Sequence, residues 1–207
     1  ALNHLKGQVA GKRILDVGAG GGGIGRSVKS EGPKELVAVE IDLRAHEILS
    51  QCYDRVLTDI TPIKDERFDW IVILDVLEHL AKPASFLADL RKLLAPGGAI
   101  LISVPNVAHW SVRIPLFFWG SFEYRSVGIM DGTHLQFFSR RSFLNLCRSV
   151  EKAFLEDSSA SIEPFELALP AWASNNLIYK GLIPFRHWAA RTFPSLMAYQ
   201  HLALLRG

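Results

Sequence analysis

Apolar residues in the first two thirds of the chain fall into short dense runs separated by stretches with a helical repeat, the order from which βαβ units and a parallel sheet are built. Arg13 to Val17 is the first run and breaks into a glycine-rich turn. Leu36 to Ile41 predicts a second strand, Arg55 to Thr58 a weak third, Phe68 to Leu74 a fourth and Ala99 to Val104 a fifth. None alternates as a half-exposed strand would, so the sheet is expected to be covered on both faces. Ala84 to Leu94 sets Phe86, Leu87, Leu90, Leu93 and Leu94 along one helical face. Pro83 suits its first turn, and Pro96-Gly97-Gly98 stops it. Ser139 is a candidate cap for a helix whose apolar face is Phe143, Leu146, Cys147 and Val150.

Between Pro105 and Phe138 the periodicity fails. Trp110, Phe117, Phe118, Trp119, Phe122 and Tyr124 stand among prolines and glycines there, and the stretch is long for a plain connection. It is expected to be a functional insert over the acceptor site. In the tail, Phe154 to Ile162 and Leu196 to Leu205 are candidate last strands. The chain is therefore expected to be one domain over 1–207, with a cofactor-binding half (1–104), an insert (105–138) and C-terminal helices and strands (139–207).

Composition narrows the classes. Of 207 residues, 49% are hydrophobic and 21% charged, enough to bury a core. The net charge of +2 gives no footprint for nucleic acid. The basic excess is local, however: from Leu167 to Gly207 there is no acidic residue, while Lys180, Arg186, Arg191 and Arg206 are present. Residues 172–194 are a candidate contact for a membrane surface or a second subunit. Cys52 and Cys147 are far apart and lack metal-ligand spacing, which suggests reduced thiols in a cytoplasmic protein. No signal-peptide pattern is read at the start, and no apolar run reaches the roughly 18 residues that span a bilayer.

The chemistry concentrates in Ile14-Leu15-Asp16-Val17-Gly18-Ala19-Gly20-Gly21-Gly22-Gly23-Ile24-Gly25. Glycines after a buried strand let the backbone turn tightly and a ligand approach closely. Gly18, Gly20 and Gly23 also satisfy the dinucleotide fingerprint, so the loop alone leaves the ligand open. Asp16 argues against a pyrophosphate and for a cation such as an amino group. Glu40 ends the second strand and can accept both hydroxyls of a ribose, in either kind of cofactor. Asp59, after the third strand, can accept from an adenine amino group.

Taken in order, Asp16-x-Gly18-x-Gly20-x-Gly22, Glu40, Asp59, Phe68-Asp69, Asp75-Val76-Leu77-Glu78-His79-Leu80 and Leu93-Leu94-Ala95-Pro96-Gly97-Gly98 resemble the class I S-adenosylmethionine-dependent methyltransferases over residues 10–106. The resemblance implies a Rossmann-like, doubly wound, mostly parallel seven-stranded α/β sheet whose last strand is antiparallel, with helices on both faces and an insert after strand five. It places Asp16, Gly18, Gly20 and Gly22 on the methionine portion of S-adenosylmethionine, and Glu40 on the ribose. Asp59 falls on the adenine and Asp75 beside the methionine amine, with Ile41, Ile60 and Val76 completing the cofactor site. Val104-Pro105-Asn106, Asp131-x-Thr133-His134-Leu135-x-Phe137-Phe138 and Ala198-Tyr199-Gln200 resemble a bacterial small-molecule branch found with sugar and surface-polysaccharide enzymes.

The function so implied is methyl transfer to a small-molecule acceptor, an oxygen of a sugar, a glycan or lipid-linked intermediate, or a phenol. His134 and His109 are candidate bases, and His79 is expected to position its segment. Asp75, Glu78 and His79 resemble the acidic-x-x-Glu-His arrangement of ubiquinone-biosynthesis O-methyltransferases, in which carboxylates could hold Mg²⁺. The alternatives are a non-catalytic binding module on the same fold and an NAD(P)-binding oxidoreductase. The latter lacks a Tyr-x-x-x-Lys pair and a second domain here.

Overall fold

The computed structural model describes residues 2–150 and 188–207, and within them the apolar runs pair into one six-stranded sheet. The strands are β1 (Arg13–Val17), β2 (Glu35–Val39), β3 (Arg55–Leu57), β4 (Phe68–Leu74), β5 (Leu94–Pro105) and β6 (Gln200–Arg206). Their order is β3-β2-β1-β4-β5-β6. All pairings are parallel except β5 with β6, which is antiparallel. The helices are α1 (Leu2–Leu5), α2 (Gly23–Val28), α3 (His46–Leu49), α4 (Pro83–Arg91), α5 (Trp110–Trp119), α6 (Arg140–Val150) and α7 (Pro194–Met197).

Alternate strand residues feed two separate cores. Leu15, Val17, Val37, Ile71, Ile73, Ile100 and Ile102 pack with Leu87 and Leu90 of α4 and Phe143 and Cys147 of α6. Ile14, Leu36, Ala38, Val72 and Leu101 face the other way, onto Leu5, Ile24, Val28 and Leu49 of the first three helices. The sheet is thus covered on both faces, as its unbroken apolar runs require. The chain winds outward from β1 to β3, returns to β4 beside β1, and continues outward to β5. Strand order therefore reverses between β1 and β4, where doubly wound sheets open a ligand crevice at their carboxyl ends.

Several boundaries differ from the sequence expectation. Six strands are described rather than seven; the strand expected over Phe154 to Ile162 lies outside the described residues. The helix expected through Leu94 stops at Arg91, because Leu94 already pairs with Phe68 and opens β5, the register shifting before Ala99 meets Trp70. The strand expected from Leu196 begins at Gln200, since Pro194 starts a short helix first. Ser139 does cap α6, accepting from the Ser142 amide at 3.3 Å.

The stretch 105–138 contains a helix that periodicity did not reveal. In α5 only Val112 is buried, so no apolar stripe exists to be read, and Gly120 ends the helix in the left-handed conformation. Asn106 bridges to Phe138, which brings both ends of the stretch to the carboxyl edge beside β5. Of 172–194 only the end is described, with Trp188 and Phe193 exposed. Among the described residues no helix is long and apolar enough to cross a membrane.

Candidate functional site

The turn after β1 is shaped by what glycine permits. Gly18 has φ +72°, and a Cβ there would stand 2.3 Å from Cγ2 of Val76, which follows β4. Only a glycine lets these two strand ends close together. Further along, the Gly20 amide donates to Glu40 Oε2 at 2.7 Å and the Asp42 amide to Oε1 at 2.9 Å. Each carboxylate oxygen keeps a second lone pair, enough to accept both hydroxyls of a ribose. Ile41 next to it is 86% exposed, an apolar side chain left open beside a polar anchor. Asp59 accepts from the Thr61 amide at 2.7 Å, and the Thr61 hydrogen bonds hold its carboxyl below the usual range. Ile60 is half-buried against the core.

Asp16 lies under this loop with only 3% of its surface exposed. Burial pushes its carboxyl up to about 6, against a lowering hydrogen bond from the Tyr53 hydroxyl and with a smaller push from the Glu40 charge. Tyr53 carries no motif that would have marked it.

Across the crevice, Asp75 follows β4 with φ +55°, the single non-glycine residue with positive φ among those described. Its Oδ1 accepts from Ser103 Oγ at 3.0 Å and its Oδ2 from Gln200 Nε2 at 2.5 Å. Burial raises its pKa. A strained backbone held by bonds from β5 and β6 is the kind of outlier that clusters at binding sites. Ser103 was legible only as a polar residue inside an apolar strand.

Beyond Asp75, Glu78 is 1% exposed, and neither carboxylate oxygen has a hydrogen-bond partner. Burial pushes it up to about 8, with a further push from the Asp75 charge. Its carbonyl accepts from the amides of Leu135 and Gln136 at 2.8 and 2.9 Å, tying the insert to the β4 loop. His134 stands with Nε2 4.0 Å from Glu78 Oε1 and Nδ1 3.1 Å from the Ile129 carbonyl. Burial lowers its pKa. Its ring meets that of His79 edge-on at 4.8 Å, and His79 Nδ1 lies 3.2 Å from Thr133 Oγ1. The structure gathers Glu78, His79 and His134, whose ligand atoms lie within 4.8 Å of one another. Asp75, grouped with Glu78 and His79 by spacing, is outside that group and bonded to Ser103 and Gln200.

His109 caps α5. Its Nδ1 lies 2.7 Å from Ser111 Oγ, and its ring packs on Trp110 and Tyr199. The crevice thus combines a glycine turn that a Cβ would block, a diol-accepting carboxylate and a buried acid. That donor set fits an adenosyl amino acid.

The chain matches the model of the family described as a methyltransferase domain over residues 2–151. A ubiquinone biosynthesis O-methyltransferase of Nitrosococcus oceani is 36% identical over 116 residues, 50% of this chain and 47% of that protein. Its counterpart in Aeromonas salmonicida is 28% identical over 166 residues, 74% of this chain and 67% of that one. The chain spans about half the length of most of the curated relatives it matches. A SAM-dependent methyltransferase from Archaeoglobus fulgidus shares the fold, with TM-score 0.63 and 18% identity, over 100% of this chain and 91% of that one. The chain belongs to the methyltransferase-domain family, in which S-adenosylmethionine is the cofactor.

Proposed function

We propose that the chain transfers a methyl group from S-adenosylmethionine to an oxygen of a small-molecule acceptor, a sugar, a lipid-linked intermediate or a phenol. The observation that carries the reading is Glu40: both its oxygens are fixed by backbone amides of the loops that flank the crevice, with lone pairs to spare for a ribose. Ile41 and Ile60 would hold the adenine, and Asp59 would accept a hydrogen bond from its amino group. Gly18, Gly20 and Gly22 would admit the amino-acid chain, Asp16 and Asp75 would receive its amine, and Val76 would complete the site.

The sulfonium supplies a methyl group on an excellent leaving group, so the protein's task is to hold the acceptor in line and keep water out. The 105–138 insert, fastened to the β4 loop through Glu78 and to β5 through Asn106, forms the acceptor side. His134 is suited to take the hydroxyl proton. Its Nδ1 hydrogen is given to the Ile129 carbonyl, which leaves the lone pair on Nε2, and burial favours the neutral ring. His109 is the second candidate, committed at Nδ1 to Ser111. A base of this kind contributes about 10²- to 10⁴-fold.

Calorimetric titration with S-adenosylhomocysteine and with NADH tests the cofactor half. Micromolar binding of the first alone is expected, weakened about thirtyfold in Glu40→Ala, the size of one or two charge-assisted hydrogen bonds. Binding of NADH alone would overturn the proposal.

A further inference from the structure

Asp16 and Tyr53 are 37 positions apart, yet the Tyr53 hydroxyl donates to Asp16 Oδ2 and accepts from the Gly25 amide at 2.9 Å. Tyr53 is 3% exposed, so neither bond is shared with bulk water. One phenol therefore joins three elements: the end of β1, the first turn of α2, and the segment that leads into β3. Its ring lies 2.6 Å from where a Gly25 Cβ would stand, which makes glycine at 25 the condition for its entry. The Gly25 amide falls in the first turn of α2, where helix amides lack an intrahelical acceptor. Tyr53 supplies one.

The consequence for Asp16 is directional. A carboxylate under a loop can present either oxygen to a ligand. With Oδ2 taken by the phenol, Oδ1 is the oxygen left to receive a cation, and the phenol hydrogen bond favours the charged form of the acid. A ring that merely filled space would not need its hydroxyl here.

We infer that Tyr53 is a positioning residue for the cofactor's amino-acid end: its hydroxyl pins Asp16 so that the free oxygen receives the α-ammonium group. This rests on the cofactor reading above. The test uses two ligands that differ only at that group, S-adenosylhomocysteine and its des-amino analogue, titrated calorimetrically into wild type and Tyr53→Phe. Wild type is expected to prefer S-adenosylhomocysteine. Tyr53→Phe is expected to weaken S-adenosylhomocysteine about tenfold, one hydrogen bond to a charged group, and to leave the des-amino analogue within about twofold.

Equal weakening of both ligands, or of neither, overturns the inference and leaves Tyr53 a scaffold residue. Wild type that binds neither ligand sinks the cofactor reading and this inference together. Wild type that binds S-adenosylhomocysteine no better than the analogue sinks the inference alone. Should Tyr53→Phe fail to fold, 3-fluorotyrosine at position 53 keeps the shape and strengthens the donor. The pH below which S-adenosylhomocysteine affinity declines should then move lower, with the analogue unaffected, and an unmoved profile overturns the proposal.

Discussion

The two sides of the crevice are built on opposite principles. On the side of β1 and β2, each acidic group singled out is met by a donor: Glu40 by Gly20 and Asp42, Asp59 by Thr61, Asp16 by Tyr53. On the side of β4 and β5, Asp75 sits in a strained backbone, Glu78 is buried without a partner, and rings of α5 lie open. The first side is a preorganised mould, in which ligand polar groups meet acceptors already fixed. The second is held together at a cost: Asp75 keeps its positive φ under hydrogen bonds from Ser103 and Gln200, and Glu78 is buried with no hydrogen bond to its carboxyl group. A binding half needs the former.

The largest effect that could break this contrast is at Gly18. Gly18→Ala imposes a left-handed conformation on a residue with a Cβ and drives that Cβ into Val76, which as a β-branched residue cannot swing aside. The conformational and overpacking penalties together are about 2 to 5 kcal/mol. Urea unfolding should show this loss, with cofactor binding abolished. Gly21→Ala is the control, because nothing lies within 4 Å of a Cβ there. A loss under about 1 kcal/mol at Gly18 would mean that the two strand ends are not closed on one another as described.

Next in size is the unpartnered Glu78. Its folded pKa of about 8 exceeds the ordinary 4.5, so the folded state holds the proton more tightly than the unfolded chain does. The stability this gives is complete below about pH 4.5 and is lost as pH rises through 8. Each tenfold difference in proton affinity between the two states is worth about 1.4 kcal/mol, so of the whole effect roughly 1 to 2 kcal/mol is expected to be lost between pH 7 and 9. Asp16 acts in the same direction but lower, between 3.8 and about 6, while His134 and His201, whose pKa burial lowers, act in the opposite direction up to about pH 7, so melts from pH 7 to 9 isolate Glu78. Glu78→Gln should flatten that slope. A wild-type melting temperature constant over this range would show that Glu78 ionises freely and that the two sides do not differ.

The same contrast explains what the sequence revealed. Strands β1, β2, β4 and β5 were legible because a sheet covered on both faces must be apolar at every position, and the glycine turn because no other residue fits it. Glu40 was legible by its place at a strand end. Tyr53 was not, since its partner is brought to it by the fold rather than by spacing. Asp75 was legible as a motif but its strained backbone was not, because strain is fixed by Ser103 and Gln200 from two other strands. The grouping of His134 with Glu78 and His79 depends on how the insert folds back, which no local pattern encodes.

The smallest effect concerns α5, which shares with α6 a richness in large apolar residues and nothing else. Phe143 of α6 is 1% exposed and packs into the core, whereas Phe117 and Trp119 of α5 are 82% and 73% exposed. Truncating a buried phenylalanine removes its contacts and leaves a cavity, about 3 to 5 kcal/mol for Phe143→Ala. Phe117→Ser and Trp119→Ser remove surface that folding never took from water, so each should change stability by less than about 0.5 kcal/mol. Urea midpoints with unchanged slopes would measure this. If either serine variant costs about 2 kcal/mol or more, its ring is covered in solution, and α5 belongs to an interior rather than to the open side of the crevice. If neither does, the exposed aromatic residues of α5 do not serve folding, and their role must be sought in binding.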